Sequence, residues 1–158
     1  PEDVIMDFGQ HMGPMYPFSL RQKLAKITEA HPYYTSSDNP WGRPVIPMEM
    51  VSVLTQYSSG GAGFRVRGPA IGLFAGQEIR LIDGPLFVNH PYQLEREIVA
   101  LSESRRTESN WIKTSIFDAK SRELVAETIL NSAVLKDSYA DYATEAAALG
   151  KKLPTTGH

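Results

Sequence analysis

The chain contains no cysteine, and that absence removes several kinds of chemistry at once. Disulfide bridges, thiolate metal ligands and a cysteine nucleophile are all excluded, and the composition fits a reducing cytoplasm, which is the location we expect. Long apolar runs are also missing, since none approaches the roughly 20 residues that a membrane-spanning helix needs. The four histidines show no metal-like spacing with carboxylates, so we expect no metal site.

A charge excess of either sign is missing as well. Sixteen Lys and Arg residues against eighteen Asp and Glu residues give a net charge of -2. Proteins that bind nucleic acids or anionic membranes normally show a basic excess, so neither partner is expected. The 158 residues suit one globular domain with its own core. Because the chain starts at Pro1, we expect a processed or trimmed protein, or one part of a longer one.

Two segments carry the signals of helices. Ser19 and Gln22 form a capping-box pattern at the start of the first helix, which should end near Ala30 because Pro32 follows. Pro47 suits the first turn of the second helix. The apolar residues of this second helix surround its axis, which is typical of a helix buried on most sides.

The segment between the helices, residues 31–47, predicts a long irregular loop, because it contains four prolines and several polar turn formers. Loops of this length tend to be functional or disordered, and the two tyrosines and one tryptophan argue against disorder. After the predicted end of the second helix at Gly60-Gly61, the hydrophobic period changes from 3.6 to 2. Strands are predicted at Val4–Met6, Ile71–Leu81, Tyr92–Leu101, Ser109–Phe117 and Leu124–Leu135.

This order of elements predicts the fold class. A strand, a helix, a long loop and a buried helix precede four long strands, and an antiparallel sheet around one apolar helix buries both economically. The class is therefore α+β. We expect the domain to span residues 1–136 and a C-terminal helical tail or linker to span residues 137–158, where the sequence becomes Ala-rich and then polar.

Two stretches resemble the MaoC-like dehydratases and hydratases. Gly42-Arg43-Pro44-Val45-Ile46-Pro47 is similar to the junction before the central helix of hotdog-fold proteins, both MaoC-like hydratases and FabZ-type dehydratases. Leu73-Phe74-Ala75-Gly76-Gln77-Glu78-Ile79-Arg80 resembles the strand after that helix in MaoC-like proteins. The resemblance covers about residues 18–136 and implies a hotdog fold, in which an antiparallel β-sheet wraps around a long central helix.

The resemblance also implies a reaction and its partners. MaoC-like proteins add water reversibly across a 2-enoyl thioester, which is carried on coenzyme A or an acyl carrier protein. No cofactor is implied beyond the coenzyme A or phosphopantetheine of the substrate. The family completes its sites with paired protomers or tandem hotdogs, and a hotdog sheet leaves an exposed edge, so we expect a homodimer or a paired hotdog domain.

The catalytic motif of the family is altered in this chain. Family members carry an Asp and a His in an Asp-x-Asn-Pro-x-His stretch, and these two residues orient a water molecule and transfer its protons. That stretch falls on residues 29–34 here, with Glu29 in place of Asp, His31 in place of Asn and Tyr34 in place of His. If the chemistry is retained, the resemblance assigns it to His31 with Glu29, while Tyr34 is a hydrogen-bond donor rather than a base.

Other residues are candidates for substrate binding. Amides at the N-terminus of the central helix polarise the thioester carbonyl in the family, which here assigns that role to the junction at Gly42 and the amide near Met48. Trp41 is either a loop anchor or a wall of the acyl tunnel. Arg105 and Arg106, between two strands, are either phosphate-binding residues or solvated charges at a hairpin end.

Three functions remain open from the sequence. The first is hydration or dehydration by His31 and Glu29, unless His31 is simply a loop histidine near a helix end. The second is a thioesterase that uses Glu49, since hotdog thioesterases employ a carboxylate on the central helix, although a Glu in a first helical turn also simply complements the helix dipole. The third is a non-catalytic acyl-binding or structural hotdog subunit.

Overall fold

The structure is a computed structural model of the chain, and it describes residues 1–28, 30–59 and 68–151. Its strands are β1 (Glu2–Val4), β2 (Gly72–Leu81), β3 (Tyr92–Glu103), β4 (Thr107–Asp118) and β5 (Leu124–Leu135). Its helices are α1 (Leu20–Leu24), α2 (Met48–Gln56) and α3 (Tyr142–Ala148), with single 3₁₀ turns at Pro32–Tyr34 and Lys136–Ser138.

The five strands form one sheet in the order β1-β3-β4-β5-β2, so β1 and β2 are its edges. The short strand β1 pairs antiparallel with the start of β3, where Glu2 lies opposite Leu94 and Val4 opposite Tyr92. All four long strands that the sequence predicts are present. This antiparallel sheet with few helices confirms the predicted α+β hotdog fold.

The described chain divides into two compact units. The first comprises Pro1–Phe64, Glu78–Glu97 and Lys113–Ile129. The second comprises Arg65–Gln77, Ile98–Ile112 and Leu130–His158. The domain boundary predicted at residue 136 stays a prediction, and α3 lies in the segment that follows it.

The core of the first unit forms around α2. Six of the nine residues of this helix are buried, which agrees with the prediction of a helix buried on most sides. Met50 and Leu54 have no exposed surface, and they belong to one apolar cluster with residues from the sheet. Burial of such side chains contributes about 1.5–3 kcal/mol each. The sheet contributes Leu94 from β3, Ile116 from β4, and Val125 and Ala126 from β5.

The predicted capping box at α1 is confirmed, but the predicted length of the helix is wrong. The Ser19 hydroxyl accepts a hydrogen bond from the Gln22 amide at 3.2 Å, and the Gln22 side chain accepts one from the Ser19 amide at 2.9 Å. The helix ends at Leu24 rather than near Ala30. The chain beyond Leu24 is largely exposed, so further helical turns would bury no continuous apolar face that could stabilise them. The predicted end of α2 at residues 60–61 lies outside the described residues.

Candidate functional site

The loop before α2 is held in shape by one asparagine and one glycine. The Asn39 side-chain amide donates to the Ser36 carbonyl at 2.9 Å and to the Arg43 carbonyl at 2.8 Å, while its side-chain oxygen accepts from the Trp41 amide. Gly42 adopts a φ of +68°, a left-handed conformation that other residues rarely tolerate. These two residues fold the segment that delivers the chain to the N-terminus of α2.

His31 lies at the start of the loop and caps the 3₁₀ turn that follows it. Its Nδ1 accepts a hydrogen bond from the Tyr33 amide at 3.3 Å. That bond assigns the proton of the neutral ring to Nε2. The exposed ring lines a cavity of about 300 Å³ together with the side chains of Leu24, Ile27, Ala30, Pro32, Tyr34 and Thr35. His31 is therefore both a helix cap and a cavity wall.

Aromatic rings pack side by side along this loop. The ring centroids of His31 and Tyr33 are 4.3 Å apart, and those of His31 and Tyr34 are 6.3 Å apart. Tyr33 meets Trp41 edge to face at 6.0 Å, and the Trp41 side chain remains about half exposed. The structure thus brings together His31, Tyr34 and Trp41 of the predicted site.

The N-terminus of α2 presents backbone amides without partners in the helix. Pro47 is the N-cap and offers no side-chain hydrogen bond, while its carbonyl accepts from the Met50 amide at 2.8 Å. Within the described residues, the Met48 and Glu49 amides donate no hydrogen bond. Met48 is half exposed. These two amides are therefore available to a ligand oxygen, as the sequence predicts for the region near Met48.

Glu49 lies in the first turn of α2 and forms an ion pair with Lys23 of α1. Its carboxylate oxygen is 2.6 Å from Lys23 Nζ, and its side chain is 59% exposed. A catalytic carboxylate of a thioesterase has to be free to attack or to activate water. The ion pair instead engages this carboxylate with α1.

The remaining predicted residues are not brought to this site. Glu29 lies outside the described residues. Arg105 and Arg106 are exposed at the β3–β4 turn, in the second compact unit, where the Ser104 hydroxyl accepts from the Arg106 amide at 3.2 Å. No observation tests their predicted role in phosphate binding, which stays a prediction.

The sequence interpretation missed a chain of three charged and polar side chains in the first unit. Arg43 Nη1 lies 3.1 Å from His90 Nδ1, and His90 Nε2 contacts Asp118 at the end of β4. The guanidinium carbon of Arg43 is 3.7 Å from the centre of the Phe87 ring. These residues are separated by dozens of positions, so no local pattern connects them.

Asp118 keeps its negative charge at this position. Partial burial alone would raise its pKa, but hydrogen bonds from the Ser121 amide, the His90 ring and the Lys120 amide lower the pKa to about 2. Burial raises the pKa of the neighbouring Tyr92 to about 12, and the Tyr92 hydroxyl accepts from the Phe87 amide. Asp118 is therefore an ionised anchor, and Tyr92 is a neutral, structural hydroxyl.

The second compact unit contains a cavity of about 400 Å³ beside α3. Its charged groups are paired with one another. Lys136 Nζ lies 3.2 Å from Glu103 and 2.7 Å from the Ser104 carbonyl, and a hydrogen bond from Lys151 lowers the pKa of Glu108. These contacts attach α3 to the strands and leave no free charge that would select a ligand.

The described ranges 1–28, 30–59 and 68–151 contain no group of three or more His, Asp or Glu residues that could hold a metal ion. Within the same ranges, no helix is long and apolar enough to span a bilayer. The candidate site is built from the loop at residues 31–47, from Leu24, Ile27 and Ala30 just before it, and from the start of α2.

The strand order and the helix within the sheet define a hotdog fold, and solved structures support this assignment. The HadBC (3R-hydroxyacyl-ACP dehydratase) complex of Mycobacterium tuberculosis matches with a TM-score of 0.63 and 16% identity, over 84% of this chain and 90% of that chain. A MaoC-like dehydratase of Rhodospirillum rubrum matches with a TM-score of 0.58 and 11% identity, over 85% and 87%.

The (R)-hydratase of A. caviae, which is involved in PHA biosynthesis, matches with a TM-score of 0.54 and 17% identity, over 83% of this chain and 89% of that chain. No protein-family model and no curated protein sequence matches the chain. At these identities the likeness establishes the fold. The likeness in fold confirms the resemblance to MaoC-like dehydratases that two short sequence stretches indicated.

Proposed function

We propose that this chain binds an acyl thioester and catalyses hydration of a 2-enoyl thioester or dehydration of the 3-hydroxyacyl form. The observation that carries the proposal is His31, which lines a cavity in the loop leading to α2 of a hotdog fold. The solved structures of similar fold include a 3R-hydroxyacyl-ACP dehydratase and an (R)-hydratase. This likeness and the residues of the loop support the proposed substrate class.

In this proposal His31 is a hydrogen-bond donor to the reacting oxygen. Because its Nδ1 accepts from the Tyr33 amide, the neutral ring carries its proton on Nε2, which faces no described partner. In the dehydration direction, this N–H donates a hydrogen bond to the departing hydroxyl group. Glu29 takes the proton from the carbon next to the thioester carbonyl and passes it to that hydroxyl group, which leaves as water. Tyr34 donates a hydrogen bond to the substrate.

The free amides of Met48 and Glu49 support the same reaction. Negative charge develops on the thioester oxygen when the neighbouring carbon loses its proton, and backbone N–H groups at a helix N-terminus stabilise such charge. Removal of one oxyanion donor typically lowers kcat by about 10²–10³. Trp41 and Gly42 shape the loop beside these amides, and Trp41 forms a wall of the acyl-binding region.

A second candidate is a non-catalytic acyl-binding or structural hotdog subunit. One observation favours it: Nδ1 of His31 is already used as a helix cap, as expected of a structural histidine. The thioesterase alternative is less well supported, because Lys23 engages the Glu49 carboxylate at 2.6 Å.

We also propose that the chain pairs with a second hotdog domain, in the simplest case another copy of itself. Strand β2 is an edge of the sheet, and Ile71, Leu73 and Phe74 in or next to it are 56%, 47% and 63% exposed. Exposed apolar edges are sites of strand pairing. The HadBC neighbour is itself a complex.

The decisive experiment is incubation of the purified protein with crotonyl-CoA while two signals are followed. If the unaltered protein consumes the enoyl absorbance and His31→Ala does not, the result supports the hydratase. If the unaltered protein releases free thiol and Glu49→Ala does not, the result supports the thioesterase instead. His11→Ala is the matched control, because His11 is an exposed histidine outside the candidate site.

The non-catalytic alternative has its own outcome. It predicts that neither signal appears, and that crotonyl-CoA still binds in a calorimetric titration. A protein that neither turns over nor binds crotonyl-CoA would contradict both the hydratase and the acyl-binding subunit.

A further inference from the structure

We propose that Arg43 binds a phosphate group of the arm that carries the thioester, and that His90 and Asp118 hold Arg43 in position for this role. The inference rests on the proposed function, because it names a contact to the same substrate. It concerns residues to which the sequence resemblance assigns no role.

The guanidinium group of Arg43 is fixed on two sides. One face stacks on the Phe87 ring at 3.7 Å, and one edge is held by His90, with Nη1 and Nδ1 3.1 Å apart. The backbone is fixed as well, since the Arg43 carbonyl accepts from Asn39 at 2.8 Å. The side chain has therefore lost most of its rotamer freedom before any ligand binds, which lowers the cost of binding.

His90 and Asp118 orient the arginine and do not perform chemistry of their own. Nδ1 of His90 accepts from Arg43, and Nε2 of His90 donates to Asp118. Both ring nitrogens are thus occupied, so neither can exchange a proton with a substrate. Asp118 is in turn fixed by the amides of Lys120 and Ser121, at 2.8 and 2.9 Å. Arg43 stands at the outer end of this chain.

Arg43 nevertheless remains exposed and has donors to spare. A guanidinium group carries five N–H donors, and the contact with His90 uses one. No described carboxylate lies within ion-pair distance of Arg43. An oriented, unpaired guanidinium suits bidentate binding of a phosphate.

The sequence limits how far Arg43 can lie from the amides of α2. Four residues separate Arg43 from Met48, so their Cα atoms are at most about 18 Å apart. The thioester lies at one end of an extended arm and the phosphate at the other. A phosphate-binding residue is therefore expected at some distance from the amides that polarise the thioester.

Coenzyme A and the phosphopantetheine group of a carrier protein both contain this phosphate, so the test uses ligands that differ in the phosphates they carry. Crotonyl-pantetheine has no phosphate, crotonyl-phosphopantetheine has one, and crotonyl-CoA adds the remaining nucleotide. The measured quantity is the ratio of Kd for crotonyl-pantetheine to Kd for crotonyl-phosphopantetheine, obtained by calorimetry. Since binding requires no turnover, a failure of the hydratase reaction and a failure of the Arg43 site are distinguishable.

For the unaltered protein we expect a ratio of about ten or more, the size of a charge-assisted hydrogen bond. In Arg43→Ala the ratio should fall toward one, and Arg43→Lys should retain part of it. If crotonyl-CoA binds more tightly than crotonyl-phosphopantetheine and this difference also disappears in Arg43→Ala, the arginine contacts the nucleotide phosphates as well.

Substitutions of His90 test separately whether this residue positions Arg43. A glutamine can accept from Arg43 and donate to Asp118, so His90→Gln should preserve the Kd ratio, whereas His90→Leu should lower it. Circular dichroism of each variant verifies that the fold is intact. If His90→Leu does not fold, loss of the Kd ratio in His90→Gln would still contradict the positioning role, because this variant can keep both contacts.

Three results would overturn the inference. One is a ratio near one in the unaltered protein, and another is an unchanged ratio in Arg43→Ala. The third is loss of the ratio in Arg105→Ala/Arg106→Ala instead, which would assign the phosphate to the β3–β4 turn. Turnover of crotonyl-pantetheine alongside any of these results would leave the proposed function intact.

Discussion

At the residue scale, His31 and His90 show how immediate neighbours decide the role of a histidine. His31 uses Nδ1 as a cap and keeps Nε2 for a ligand. In His90 both ring nitrogens form hydrogen bonds, one with Arg43 and one with Asp118, and the side chain is only 14% exposed. The first is therefore a candidate hydrogen-bond donor to the substrate, and the second is a positioning residue.

The lowered pKa of Asp118 predicts how the stability of the folded protein changes in acid. Its pKa is lowered to about 2, so it stabilises the folded state above its ordinary pKa near 4, and this contribution is lost as the pH falls toward 2. Asp118→Asn should lower the free energy of unfolding at pH 7 by on the order of 1–2 kcal/mol. The difference between variant and unaltered protein should shrink between pH 4 and 2 in denaturant titrations. The exposed Asp38→Asn is the control, and a pH-independent difference would refute this account.

The buried, hydrogen-bonded side chain of Arg96 predicts that its removal lowers the stability of the protein. Its side chain is 6% exposed, pairs with Glu2, and donates to the Thr55 carbonyl at 2.7 Å, at the end of α2. Arg96→Met should lower the free energy of unfolding by about 3 kcal/mol, because it leaves these acceptors without their donor.

Arg80→Met is the matched control in the same urea titration. Arg80 is 69% exposed and 3.8 Å from Glu127, so we expect a loss below about 1 kcal/mol. Equal losses in the two variants would contradict the role of burial.

At the element scale, α1 is short and depends on its cap. A helix of five residues has little hydrogen bonding of its own, so the capping box of Ser19 and Gln22 fixes where it begins. The helix in turn presents Lys23 to Glu49 of α2.

Ser19→Ala should therefore lower the free energy of unfolding by about 1 kcal/mol, as loss of an N-cap typically does. Ser37→Ala, at an exposed serine of the loop, should have almost no effect in the same thermal or urea unfolding experiment. If Ser19→Ala is also neutral, the capping bonds contribute nothing to the stability of α1.

At the scale of the whole molecule, the exposed edge strand predicts self-association. Phe74 is 63% exposed on β2, and Phe74→Glu introduces a charge at the proposed pairing edge. Light scattering after size exclusion should give twice the mass of one chain for the unaltered protein, and a shift toward one chain for the variant. Lys120→Glu, at an exposed turn outside β2, is the control. An unaltered protein that elutes as a monomer at high concentration would exclude the homodimer.

Local rules in the sequence determined most of the elements. Period-2 alternation predicted the four long strands, Ser19 and Gln22 predicted the cap of α1, and Pro47 predicted the start of α2. These signals are readable because they depend on neighbours within a few residues. The end of α1 could not be predicted in the same way, because it depends on burial of the chain beyond Leu24.

Only the tertiary structure decided which side chains meet. Arg43, His90 and Asp118 lie 47 and 28 positions apart, and the sheet brings them into one chain of contacts that no spacing encodes. The pairing of Glu49 with Lys23 likewise depends on how two helices pack. The sequence by itself determined the α+β class, since hydrophobic periodicity and capping are local, and its resemblance to MaoC-like proteins implied the hotdog fold. The role of each charged group depends on the partner that folding brings within about 3 Å of it.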